Sequence, residues 1–90
     1  MTLARRVDIH QMTKADAKLY LERLIAGLPA DVSELVVIHG YRSGSVLQNL
    51  VRRELKSKRI CRRILSLNPG ETTLLLQPPA GKAKGSSLKI

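Results

Sequence analysis

The chain has 90 residues and a formal net charge of +9, and Leu, Ile and Val together supply 27 residues, enough for one small folded domain. Its single cysteine excludes a disulfide framework and a zinc site built on cysteines. No apolar run approaches the roughly 20 residues of a membrane span, and residues 1–6 have no apolar stretch long enough for a secretory signal, so we expect a cytoplasmic protein with no membrane contact.

The first half of the chain predicts a strand, a helix and a second strand. Residues 3–9 form the first strand, and Thr13 is the expected N-cap of the helix. Residues 35–38 are all apolar, which predicts a second strand buried on both faces. The helical crossover between the two strands should make them parallel.

The second half predicts a helix over 45–57, strands over 60–67 and 72–77, and a tight turn between these strands. On a helical wheel Arg52 points outward, whereas Glu54 falls within the apolar arc and should pair with a basic neighbour at the margin. The order βαβαββ predicts an α/β fold (an α+β two-layer sandwich) with a mixed four-stranded sheet and two helices in one domain, 1–77. The Pro, Gly, Lys and Ser content of residues 78–90 predicts a disordered tail.

The positive charge is concentrated in one segment. Residues 42–63 contain eight Lys and Arg residues and one Glu, whereas the charges of residues 1–41 sum to zero. This clustering favours a polyanion partner over a merely solvated surface.

The chain has no Phe, no Trp and two Tyr, so it lacks an aromatic platform for single-stranded nucleic acid. Binding should therefore use phosphates and shape. Tyr41 is the one candidate for stacking on a base. The expected nucleic-acid-binding residues are Arg52, Arg53, Lys56, Arg59, Arg62 and Arg63.

The two parallel strands should end near His10 and His39, at the sheet edge where ligands bind in open α/β folds. Asp8 and His10 project from one face, so the pair could act as a general acid or base or hold a phosphate; a strand-end salt link without chemistry is the alternative. The glycine loop that follows leads to a helix N-terminus and could bind a phosphate, although it could equally be an ordinary turn. Its candidate phosphate-binding residues are His39, Gly40, Arg42, Ser43 and Gly44.

Taken together, these motifs resemble the small MutS-related (Smr) domain over roughly residues 7–77. The resemblance rests on Asp8-Ile9-His10 at a strand end, on His39-Gly40 at the loop and on the turn Asn68-Pro69-Gly70. It implies the fold of the C-terminal domain of bacterial translation initiation factor three. It also implies nucleic-acid binding and, in many members, endonuclease activity on DNA or RNA with a catalytic pair at Asp8 and His10. Gln11 stands where the family usually has glycine, and Arg42 where it often has a second one.

Two functions follow as hypotheses. The first is an endonuclease that cleaves phosphodiester bonds of DNA or RNA, with Mg²⁺ or Mn²⁺ as the divalent cation to test as a cofactor. The second is a non-catalytic module that docks on DNA, RNA or the ribosome through the basic segment 42–63. A pure protein-interaction domain explains neither the charge nor the Asp8–His10 pair. A monomer is the default expectation.

Overall fold

The computed structural model describes residues 3–41 and 44–78. Arg42 and Ser43 of the candidate phosphate loop, and the predicted tail beyond Pro78, lie outside the described residues. Within the described parts, no helix is long and apolar enough to cross a membrane. The elements are β1 (Leu3–Asp8), α1 (Lys14–Gly27), β2 (Val32–Ile38), α2 (Val46–Asn49) with a π-helical turn (Leu50–Glu54), β3 (Ile60–Leu65) and β4 (Glu71–Leu76).

The four strands form one mixed sheet in the order β1-β2-β4-β3. Strand β1 is parallel to β2, as the crossover predicted, and β4 is antiparallel to both β2 and β3. In this register Asp8 lies beside Ile38, and Ile38 lies beside Glu71. The ends of β1 and β2 and the start of β4 therefore meet at one edge of the sheet.

The helices cover one face of this sheet. Buried and half-buried residues alternate along β4 and over residues 35–38 of β2, and the buried apolar ones join apolar residues of α1 and of the π-helical turn in a single core. The predicted βαβαββ two-layer architecture is therefore confirmed. The expectation that β2 is buried on both faces is wrong, because the second face of the sheet has no helix over it among the described residues.

The second helix changes pitch after one turn. The backbone N–H of Leu55 donates to the carbonyl of Leu50 at 2.7 Å, a bond between residues five apart instead of four. The wider turn lets Leu55 enter the core while Glu54 stays at the surface and pairs with Lys14 at 2.6 Å. The predicted partner for Glu54 is thus found. The outward orientation of Arg52 is wrong, because its Nε donates to Thr72 Oγ1 at 2.8 Å.

Candidate functional site

Asp8, the last residue of β1, forms a close pair with His10 just beyond the strand. The core residue Ile9 lies between them and fixes the chain, since it is fully buried and its N–H donates to the Ile38 carbonyl at 2.9 Å. The backbone N–H of His10 donates to Asp8 Oδ1 at 3.0 Å, and His10 Nδ1 lies 2.5 Å from the same oxygen. Both side chains are about half exposed, so a ligand can reach them.

Hydrogen bonds set the charge state and the tautomer of this pair. The side-chain bond from His10, followed by its backbone N–H, lowers the pKa of Asp8, so the carboxylate is ionised at neutral pH. An ionised carboxylate only accepts hydrogen bonds, and His10 Nδ1 must therefore carry the proton. In the neutral ring this leaves the lone pair on Nε2, the arrangement of a general base.

A cavity of about 520 Å³ opens beside the pair. The carboxyl ends of β1 and β2 bring Asp8, His10 and Gly40 together there, as the topology predicted, whereas His39, expected at the same edge, does not line this cavity. The turn before β4 supplies further walls that the sequence reasoning did not assign to the site. The lining residues are Asp8, His10, Ile38, Gly40, Tyr41, Asn68, Gly70 and Glu71.

Two glycines let the loop after β2 and the turn before β4 approach each other. Gly40 has φ +75°, and a Cβ on it would lie 3.2 Å from His10 Cβ. A Cβ on Gly70 would lie 3.4 Å from Gly40 Cα. The Gly70 carbonyl accepts the N–H groups of His39 at 2.9 Å and Gly40 at 3.0 Å. The backbone N–H groups of His39 and Gly40 therefore donate to the turn and not into the cavity. The absence of a side chain on Gly40 leaves space for His10.

His39 is a buried structural residue. Its Nδ1 lies 2.8 Å from the Gly40 carbonyl, and its Nε2 lies 2.9 Å from Thr72 Oγ1. The carbonyl can only accept, so Nδ1 carries the proton, and the Thr72 hydroxyl, which accepts from Arg52, donates to Nε2. Burial lowers the pKa of His39, and the nearby charge of Arg52 acts in the same direction. The ring is therefore neutral and supports the loop from inside, without contacting the cavity beside Asp8.

This buried ring should make stability depend on pH. Below the ordinary pKa of 6.5 the unfolded chain binds a proton at His39, whereas the folded chain resists it, so the free energy of unfolding falls as pH falls. The limit is about 1.4 kcal/mol per pH unit. Urea midpoints between about pH 7.5 and about pH 5.5 should show this fall. His39→Gln should flatten it while the exposed control His10→Gln keeps it; an equally steep fall in His39→Gln would contradict the assignment.

Beyond Gly40, the candidate phosphate loop continues through Gly44 to the start of α2. Gly44 has φ +109°, and its N–H faces the Tyr41 carbonyl at 3.4 Å. Ser45 precedes α2 without a side-chain capping bond. The phosphate-binding role of Gly44, Arg42 and Ser43 stays a prediction.

The donor set for a divalent cation is small. In the described segments no group of three or more His, Cys, Asp or Glu side chains is arranged to hold a metal. Asp8 and Glu71 are the carboxylates that line the cavity, and Glu71 accepts from Arg6 at 3.0 Å. Mg²⁺ often binds to one or two carboxylates, waters and substrate phosphates, so Asp8 and Glu71 are the residues that would hold it.

The six predicted nucleic-acid-binding residues separate into two groups. Arg59 is buried, and its guanidinium donates to the carbonyls of Ile25, Leu28, Pro29 and Gln77. Arg63 donates to the carbonyls of Arg52 and Leu55 at the end of the π-helical turn, and Arg52 itself holds Thr72. These three arginines are engaged inside the protein, and the structure removes Arg59 from any surface role.

The other three residues form a basic surface. Arg53, Lys56 and Arg62 are exposed and, with the half-buried Arg63, line a groove of about 460 Å³ between the π-helical turn and β3. We call the three exposed residues the basic groove. In the sheet order, β3 lies at the opposite edge from β1. The basic groove therefore lies apart from Asp8 and His10.

Comparisons with known proteins agree with this architecture. The family model described as Smr domain matches residues 7–73. The crystal structure of the Smr domain of Thermus thermophilus MutS2 is similar, with a TM-score of 0.73 and 25% sequence identity. The match covers 82% of this chain and 99% of that one. No curated protein matches the chain significantly.

Proposed function

Because the chain belongs to the Smr domain family, we propose that it binds nucleic acid and cleaves its phosphodiester bonds, with Asp8 and His10 as the catalytic pair. The observation that carries this proposal is the 2.5 Å contact between Asp8 Oδ1 and His10 Nδ1 beside an open cavity. It supports acid–base chemistry because it orients the ring and leaves Nε2 as the acceptor. The buried Ile9 and the space that Gly40 leaves beside His10 hold the pair in this position.

In the proposed reaction, His10 Nε2 accepts the proton of the attacking oxygen, which belongs to water or to the 2′-hydroxyl of RNA. A bond from that oxygen to phosphorus forms, and the bond from phosphorus to the leaving oxygen breaks. The protonated ring can then return its proton to the leaving oxygen. Asp8 stabilises the positive ring between these steps. A bound divalent cation would neutralise charge on the phosphate.

The basic groove would hold the flanking phosphates. Strands in a sheet lie about 4.8 Å apart, so the three spacings from β1 to β3 separate the two sites by roughly 14 Å across the sheet. A substrate that touches both sites must extend over several nucleotides. The position of the groove therefore favours a polynucleotide substrate and not a single nucleotide.

The test is a panel of labelled single- and double-stranded RNA and DNA, each incubated with Mg²⁺, with Mn²⁺ and with chelator. We expect cleavage of at least one substrate, and the panel then identifies the nucleic acid and the metal requirement. Binding without cleavage under every condition would contradict the nuclease. Absence of binding even at low salt would contradict nucleic-acid recognition altogether.

A non-catalytic docking module on DNA, RNA or the ribosome is the second candidate. The exposed basic groove favours it, because such a surface binds a phosphate backbone without any chemistry. Gln11 and Arg42, which stand where the family usually or often has glycine, are the sequence features that favour it. The second candidate shares the groove with the first and differs only in the role of Asp8 and His10.

Neutralising the basic groove should weaken the salt dependence of binding. Each phosphate contact contributes about −0.7 to −0.9 to the slope of log K against log salt. The triple variant Arg53→Gln, Lys56→Gln, Arg62→Gln should therefore reduce the slope by about 2 to 3. Fluorescence anisotropy over a salt series measures it.

A control with the same loss of charge uses three cations from the other half of the chain, Arg5→Gln, Lys18→Gln and Arg23→Gln. This control should keep most of the slope. Equal reductions in the two triple variants would mean that net charge, and not the groove, governs binding.

A further inference from the structure

The cavity beside Asp8 and His10 is more apolar than a phosphate site requires. Ile38, Gly40, Tyr41 and Gly70 form much of its wall, and among the lining residues in the described chain none is Lys or Arg. Its volume of about 520 Å³ lies in the range of small-molecule pockets. Proton transfer at His10 uses only one side of the cavity and does not explain its apolar wall.

Tyr41 gives the cavity an aromatic wall. Its side chain is 55% exposed, yet the ring is seated against the turn before β4. Cδ1 lies 3.4 Å from the position that a Cβ on Gly70 would occupy, so the absence of a side chain there lets the ring approach the turn. An aromatic ring that is held at one edge and open to solvent over the rest can stack on a flat ligand.

Asn68 gives the cavity an oriented polar group. Its Oδ1 accepts the Gly70 N–H at 2.9 Å, which fixes the orientation of the amide. The amide NH₂ group of Asn68 is thereby left as a donor at the cavity that this residue lines. A ring for stacking and a fixed donor are the two elements by which proteins hold an unpaired base.

We propose that this cavity holds one unpaired nucleobase of the substrate, with Tyr41 stacked on its face and the Asn68 amide donating to its edge. The proposal rests on the proposed function and adds that the bound nucleotide is not base-paired. A paired base is stacked inside a duplex and cannot enter, so the site takes a single strand, a loop or an extruded base. One ring serves one base, which is consistent with a chain that has two tyrosines and no Phe or Trp.

The test measures binding in the His10→Ala background, where the oligonucleotide should stay intact. Short single-stranded RNA and DNA oligonucleotides carry one abasic nucleotide, moved along the sequence. We expect one position at which loss of the base weakens binding about tenfold. Tyr41→Leu should weaken binding of the intact oligonucleotide by a similar factor, and the abasic position should then cause little further loss. Tyr41→Phe should bind as the parent does.

The other tyrosine supplies the matched control. Tyr20 lies on α1 and is 40% exposed, and Tyr20→Leu should leave both affinities unchanged. Equal affinities at every abasic position, or additive losses in Tyr41→Leu, would overturn the inference while nucleic-acid binding stands. If neither wild type nor His10→Ala binds any oligonucleotide at low salt, the proposed function fails and the inference fails with it.

Discussion

Replacing Arg59 by alanine is expected to lower the free energy of unfolding by about 3 kcal/mol. For a domain of this size the midpoint of thermal unfolding should fall by roughly 12–24 °C. The reason is that Arg59, 5% exposed, donates to the carbonyls of Ile25 and Leu28 at 2.6 Å each and to two further carbonyls. Helix α1 has no basic residue in its last turn, so Arg59 supplies the donors and the positive charge that a helix C-terminus favours.

Removal of Arg59 would leave these carbonyls near the core without their donor. Arg59→Lys keeps the charge but offers one nitrogen in place of a planar fork, so it should retain only part of the stability. Thermal and urea unfolding measure both variants, and the lysine variant remains informative if the alanine variant does not fold.

Arg62 is the matched control, since it lies three residues further along the chain, on β3, and is exposed. Arg62→Ala should change the free energy of unfolding by no more than about 0.5 kcal/mol and should weaken nucleic-acid binding. Opposite results, with a stable Arg59→Ala that binds poorly and an unstable Arg62→Ala, would show that the two arginines have been assigned to the wrong roles.

The contrast between Arg59 and Arg62 marks the limit of sequence reasoning. Hydrophobic periodicity and the parallel crossover were enough to predict the order of elements and to bring Asp8 near Gly40, because both depend on local pattern and simple topology. Within a basic segment, the neighbouring sequence does not show whether an arginine is exposed at the surface or buried against the end of a helix. The distinguishing contact joins residues 34 positions apart.

The π-helical turn and the contribution of the turn before β4 to the site were not predicted from the sequence. Glu54 in the apolar arc of the predicted helix was a sign that the α-helical pitch does not continue, and the π-helical turn is the physical answer. The turn before β4 belongs to the site because β4 lies beside β2 and not at the sheet edge. His39 carried no such signal, since a histidine before a glycine loop fits a ligand contact and a buried support equally well.

His10→Ala is expected to lower the cleavage rate by about 10²- to 10⁴-fold, the usual contribution of a positioned general acid or base. The loss should appear in kcat with KM nearly unchanged, because the ring acts on the reacting oxygen and not on binding of the polymer. Asp8→Asn keeps an oxygen that can accept from His10 Nδ1 but removes the charge that stabilises the protonated ring. The cleavage rate of Asp8→Asn should therefore lie between that of wild type and that of His10→Ala. Single-turnover cleavage of the best substrate from the panel measures these rates.

Stability should not explain these losses. Both side chains are about half exposed, so the variants should unfold within about 0.5 kcal/mol of wild type. Asp31→Ala removes another exposed carboxylate, at the start of the segment leading into β2, and should cleave at the wild-type rate. If His10→Ala and Asp8→Asn also cleave at that rate, Asp8 and His10 are a structural link, and any observed cleavage arises elsewhere. If both lose cleavage while binding with the wild-type salt slope, the basic groove and the catalytic pair are separate functions of one domain.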